Sequence, residues 1–266
     1  MKRSDEIKYF DKVWKEMSLH LKLFLETGNQ ENLHSFRVQI KKLKALIILT
    51  ENTDSHLTII KLLKPVSKLF KTAGRIREAH INLSLTEKYK IINEPFTAGQ
   101  NQIITNGLAN MRLNSSDTLL TIKDANKQIK KKLPKIKNSF ISAFYNNQLE
   151  LLNRNLEIPN FTEEMHQNRK LIKLLVYNHK LAVKALNNQI NLNIEYLDKL
   201  QNKIGEWHDN LVAAQLFSTG QIINADVAKV INRKNNSIKK YIKNLATDFI
   251  KKATLVDAAP VEVTLA

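Results

Sequence analysis

One pattern, present twice, constrains this chain more than anything else in it. The stretch Leu33-His-Ser-Phe-Arg-Val-Gln-Ile-Lys-Lys-Leu-Lys44 places His34, Arg37, Lys41 and Lys44 at steps of three, four and three residues. On a helix, at about 100° per residue, these four side chains fall within roughly 80° of one another. Phe36, Ile40, Leu43 and Ile47 gather on another side and read as a core face. The stretch His166-Gln-Asn-Arg169-Lys170-Leu-Ile-Lys173 repeats the order: histidine, arginine three on, lysine seven on. Tyr177, Lys180 and Lys184 carry that second stripe further along the same helix. The two histidines stand at a spacing of 132 (34 to 166), which predicts an internal duplication.

A second matched pair supports it. Gly74-Arg75-Ile76-Arg77-Glu78 is answered by Gly205-Glu206-Trp207-His208-Asp209 at a spacing of 131 (74 to 205). Glycine there allows either close helix packing or a tight break in a helix. Arg77 is suited to reach an anion with Glu78 orienting it, although an Arg–Glu pair that merely fixes a helix start fits the same residues. Ahead of Gly74, Lys61, Lys64, Lys68, Lys71 and Arg75 step by three and four, which makes either a second basic wall or an ordinary solvated face. The second half is thinner here: Lys199 and Lys203 remain, while Glu195 stands where the first half has Lys64.

Six glycines and five prolines are few for a chain of 266 residues with abundant Lys, Leu, Ile and Asn at helical spacing, so the fold class expected is all-α. Helices are expected over 5–26, from Asn29 or Asn32 through the first stripe, from near Pro65, over 96–112, over 115–153 with a kink at Pro134, over 162–188, from Gly205 to about Phe217, and over 224–252. The lysine run from Lys127 to Lys137 has no acidic residue and is either a solvated face or a contributor to the field. Glu157-Ile-Pro159-Asn160 is the best internal boundary. It divides a domain over 8–253 into halves 8–157 and 158–253, followed by a tail, 254–266, expected to be disordered or loosely docked.

Lysine and arginine number 42 against 25 acidic residues, a formal net charge of +17. Such an excess repels itself in the compact state and suggests a polyanionic partner: polyphosphate, nucleic acid or anionic lipid. The absence of cysteine excludes disulfides, thiolate metal sites and cysteine nucleophiles. No apolar run approaches the 18 or so residues of a membrane span, and charge rather than an apolar segment follows Met1, so a cytoplasmic protein is the default expectation.

His-x-x-Arg-x-x-x-Lys-Lys-Leu-Lys (His34, Arg37, Lys41, Lys42, Leu43, Lys44), answered by His166, Arg169 and Lys173, resembles the CHAD family, the conserved histidine α-helical domain. The family's Leu-Gly-x-x-Arg-Asp pattern is similar to the two glycine stretches, with departures at Glu78 and His208. The resemblance spans about residues 8 to 250. It implies two pseudo-twofold-related helical bundles facing each other across a shared basic channel, and binding of inorganic polyphosphate there. The residues it points to are the two stripes (His34, Arg37, Lys41, Lys44; His166, Arg169, Lys173, Tyr177, Lys180, Lys184), the wall from Lys61 through Arg75, and Arg77. It also implies association with polyphosphate stores.

No phosphate-binding loop, Glu-x-Glu-x-Lys metal motif or paired carboxylates are present, so catalysis, a metal and a cofactor are not expected. RNA or DNA binding is the alternative. Only Tyr177 among the aromatic residues sits on a basic stripe, which is a poor stacking platform for single strands. A membrane-surface role is weaker, since the apolar faces are needed inside.

Overall fold

The computed structural model describes residues 1–51, 58–187, 190–219 and 222–254. Its first helix, α1 (Arg3–Thr27), buries Phe10, Trp14, Met17, Leu21 and Phe24. It ends at Gly28, whose φ of 69° is the left-handed conformation glycine adopts without a Cβ penalty. The Asn29 side chain then accepts from the N–H groups of Glu31 and Asn32, so Asn29 is the cap of α2 (Gln30–Glu51). Phe36, Ile40, Leu43 and Ile47 are fully buried, as their spacing requires.

A 3-10 turn (Ile59–Leu63) leads into α3 (Lys64–Lys88), with Pro65 in the first turn, where its missing N–H costs nothing. The helix α4 (Glu94–Leu113) is capped by Asn93. The single kinked helix expected over 115–153 is two helices, α5 (Ser115–Lys132) and α6 (Asn138–Glu157). Proline excludes its predecessor from helical backbone, and Leu133 accordingly turns extended at ψ 119°. Leu133 and Ile136 are buried, which anchors the break.

Thr162 caps α7 (Glu163–Ala185), the second stripe helix. The next helix, α8 (Ile194–Ser218), runs unbroken through Gly205, so that glycine does not start a helix. Gly74 likewise lies inside α3. The last expected helix is also two, α9 (Ala225–Ala246) and α10 (Phe249–Ala253), separated by Asp248 at a left-handed φ of 52°. Thr254 is held by an isolated bridge to Leu192, while the rest of the expected tail, 255–266, lies outside the described residues.

The stripe helices are neighbours. The α2 helix packs on α1, α3 and α7; α7 packs on α2, α6 and α8; α8 carries α9 and α3 carries α4. Instead of two separate cores, one continuous apolar cluster runs from Phe10 and Trp14 of α1 to Ile204 and Trp207 of α8. A smaller cluster around Phe96, Phe217 and Ile231 ties the start of α4 to the α8–α9 turn. The all-α class holds among the described residues, and no helix there is long and apolar enough to cross a membrane.

Candidate functional site

The two stripes meet along the seam between α2 and α7. Asn178 Nδ2 donates to Ala45 O at 2.9 Å, and one helical turn back Lys41 lies in the field of Lys173 and Arg169. The two helices therefore run past each other in the same sense, so that matching residues of the repeat come together. A cluster of cations from both halves results: Arg37, Lys41, Arg77, Arg169 and Lys173, with His34 beside Arg77 and Lys41.

Each half seats its arginine the same way. Arg37 Nη1 donates to the carbonyl of Phe70 at 2.5 Å, and Arg169 Nε donates to that of Gln201 at 3.1 Å. Phe70 and Gln201 share the glycines' spacing of 131 (70 to 201), and each stands one helical turn before a glycine, Gly74 or Gly205. A helical Cβ leans toward the N-terminus and covers the preceding turn. Glycine leaves the carbonyl four residues back uncovered, and the guanidinium occupies that space. A Cβ on Gly74 would stand 2.7 Å from Arg37 Nη1, and one on Gly205 would stand 2.7 Å from Arg169 Cζ. The glycines thus mark no helix break; they allow close approach of the neighbouring helix through its arginine.

The electrostatics are dominated by burial and by neighbouring cations, with carboxylates opposing at some positions. Lys41 is half-buried, and its ammonium is pushed down to about 8, first by burial and then by Lys173, Arg37, Arg169 and Arg77. Lys173 is lowered by burial and Arg169, an effect that Asp198 and Asp209 oppose. Burial and then Arg77 hold His34 below the ordinary histidine value, with Glu31 opposing. Burial and then His208 do the same to His166, with Glu163 opposing. At one edge, Lys44 is lowered by burial and by Lys71.

Phe70 was not visible as a site residue in the sequence. Its ring lies 4.0 Å from the Arg37 guanidinium and 5.2 Å from Lys44 Nζ, a cation–π anchor for both. On α7, Lys173 stands 5.9 Å from the ring of Tyr177, whose backbone carbonyl accepts from Tyr9. The His208 ring stacks on that of the motif histidine His166.

Not all of the expected wall faces the seam. On α3, Arg77 lies about 140° round the helix from Lys64, so one face cannot present both to α2. Lys64 and Lys68 line a separate cleft with Asp117, Thr118 and Thr121 of α5. Lys61 lies in the preceding 3-10 turn, and Arg75 is exposed on the Lys64 side of α3. Of that row, Lys71 reaches the seam's edge. On α7, Lys180 is exposed and Lys184 is held at 2.7 Å by Asp5 of α1. Lys203 and Lys234 converge on Glu206, away from the α7 stripe. In the lysine run, Lys130 pairs with Asp11 at 2.7 Å. Glu78 makes no ion pair with Arg77 among the described residues.

A family model described as the CHAD domain matches residues 8–218. No curated protein matches the chain. Among solved structures, the chain is similar to the crystal structure of the CHAD domain from the plant Ricinus communis, with a TM-score of 0.67 at 14% identity, covering 95% of this chain and 93% of that one. At that identity the likeness is one of fold.

Proposed function

Because this chain belongs to the CHAD domain family, we propose that it binds inorganic polyphosphate without cleaving it, in a basic channel between two pseudo-twofold-related halves. Lys41 carries the proposal. It lies half-buried at the junction of the halves, and the charged groups acting on it most strongly are all cations. Clustering cations out of bulk water is costly, and a ligand of closely spaced phosphates removes that cost. The matched arginine seats and the paired histidine positions support the pseudo-twofold relation. Arginine offers a fork for two oxygens of one phosphate, and lysine a point charge that tolerates a flexible chain. The proposal includes a cytoplasmic protein that associates with polyphosphate stores.

The deciding experiment is a binding titration with long-chain polyphosphate, triphosphate and single-stranded RNA at matched charge and physiological salt. Long-chain polyphosphate is expected to bind most tightly, because many contacts along one chain add. Tighter binding of RNA would favour a general nucleic-acid binder instead.

A further inference from the structure

The two sides of the basic seam differ in how they hold charge. Beside His34 stands Arg77, charged at every working pH. The matching place in the second half, at the same spacing of 131 (77 to 208), is His208. Its ring stacks on His166 with centroids 4.4 Å apart and planes inclined by 28°. His166 Nδ1 is buried without a hydrogen-bond partner, and the His208 side chain keeps 30% of its exposure. Two imidazoles this close cannot both hold a proton without strong repulsion unless an anion lies against them.

The surroundings lean the same way. On α7, Lys170 and Arg169 oppose protonation of His166 and Glu163 favours it. On α8, Asp209 Oδ1 stands 3.9 Å from His208 Nδ1, and its side chain is largely in solvent. From α9, Lys239 covers Phe161, whose ring meets Trp207 beside His208. From α2, Lys41 faces Arg169, and from α6 the uncharged Asn155 reaches Asn168.

We infer that His166 and His208 form a phosphate subsite on the second half's side of the seam, one that fills as the histidine pair takes up a proton from solvent. This side then tightens on a polyanion as pH falls through the histidine range, while the Arg77 side grips at any pH. The subsite rests on the polyphosphate proposal above and makes His208 a contact residue of that same site.

Calorimetric titration with long-chain polyphosphate, in two buffers of different ionisation enthalpy, counts the protons taken up on binding. At about pH 6.5, wild type is expected to take up roughly half a proton more per occupied subsite than either His208→Arg or His208→Gln. Between about pH 7.5 and 5.5 its affinity is expected to rise about fivefold more than that of His208→Arg. His208→Arg is expected to bind at least as tightly as wild type at the higher pH, since it restores the charge of the first half. His208→Gln keeps the test open if the arginine does not fit, and circular dichroism verifies both folds. Unchanged proton counts and pH dependence in folded variants that still bind polyphosphate would overturn the subsite alone. A wild-type protein that binds no polyphosphate at any pH would overturn the proposed function, and the subsite with it.

Discussion

Arg37 lies in the space where Gly74 has no side chain. Its guanidinium reaches a carbonyl of α3 that a Cβ would cover, with Nη1 only 2.7 Å from where that Cβ would stand. Arg169 and Gly205 repeat the relationship in the other half, so the two glycines of the repeat act through two arginines.

Alanine at either glycine separates stability from binding. Each glycine is inside a helix, where alanine is favoured by about 0.5–1 kcal/mol, and the atoms it meets belong to a flexible side chain that can swing away. Gly74→Ala is expected to melt at or slightly above the wild-type temperature while binding polyphosphate about three- to tenfold more weakly, up to about 1.4 kcal/mol. Gly205→Ala is expected to lose more, because its Cβ would crowd Cζ and Nε of Arg169 as well as Nη2. Full affinity in both variants, measured by titration, would show that the seats serve only the fold.

Position against bulk charge can be tested at constant net charge. Lys41→Glu with Lys173→Glu lowers the net charge by four units from +17, and so does Lys127→Glu with Lys131→Glu on the exposed side of α5. Lys239 and Lys240, remote from both motifs in the sequence, make a poor control because Lys239 packs over Phe161 near the histidine pair. The seam pair is expected to lose at least tenfold more affinity, about 1.4 kcal/mol, because close like charges cost more than screened distant ones. Equal losses in two folded variants would reduce the stripes to a solvated basic face.

The pH dependence of stability carries the sign of Lys41. Its ammonium titrates near 8 in the folded chain and near 10.5 when free, so between those values the unfolded chain binds more protons. Stability therefore rises with pH across that window, and below it the full penalty of a charged, crowded Lys41 remains. Lys41→Met is expected to raise the melting temperature at neutral pH by about 2 °C and to flatten the rise above pH 8 relative to wild type. Superimposable stability–pH curves for the two proteins would contradict this. Bound polyphosphate is expected to return Lys41 toward its ordinary value, with proton uptake near pH 8.5.

Binding without turnover has its own check. Glu31 and Glu163 act on His34 and His166 through charge alone, so neither histidine is set up by a hydrogen-bonded carboxylate to act as a base. Incubated with polyphosphate and Mg²⁺ or Mn²⁺, the protein is expected to release no phosphate and to form no phosphohistidine. Turnover that disappears in His34→Ala or His166→Ala would overturn the binding-only proposal.

What the sequence determined by itself is what local periodicity and repetition can carry. Helical spacing identified the core face of α2 and the stripes on α2 and α7, and the spacings of 132 and 131 matched the stretches in pairs. Local chemistry placed helix starts near Pro65 and at Asn29 or Asn32, of which the structure selects Asn29, because each acts on backbone within one turn of itself. At Pro134 a kink was expected and a full break is found, since the two share the same local pattern and the burial of Leu133 and Ile136 anchors the break; the break at Asp248 was not expected at all. Only the tertiary structure decided which cations meet. Lys64, Lys68 and Arg75 share a helical stripe with Lys71, yet the packing of α3 turns Arg77 and Gly74 toward the seam and leaves Lys64 and Lys68 beside α5. Phe70 meets Arg37, and His208 meets His166, for the same reason. A side chain's neighbours across a helix interface depend on how whole helices pack, and that packing is set by the sum of all buried faces rather than by any stretch of sequence around the residue.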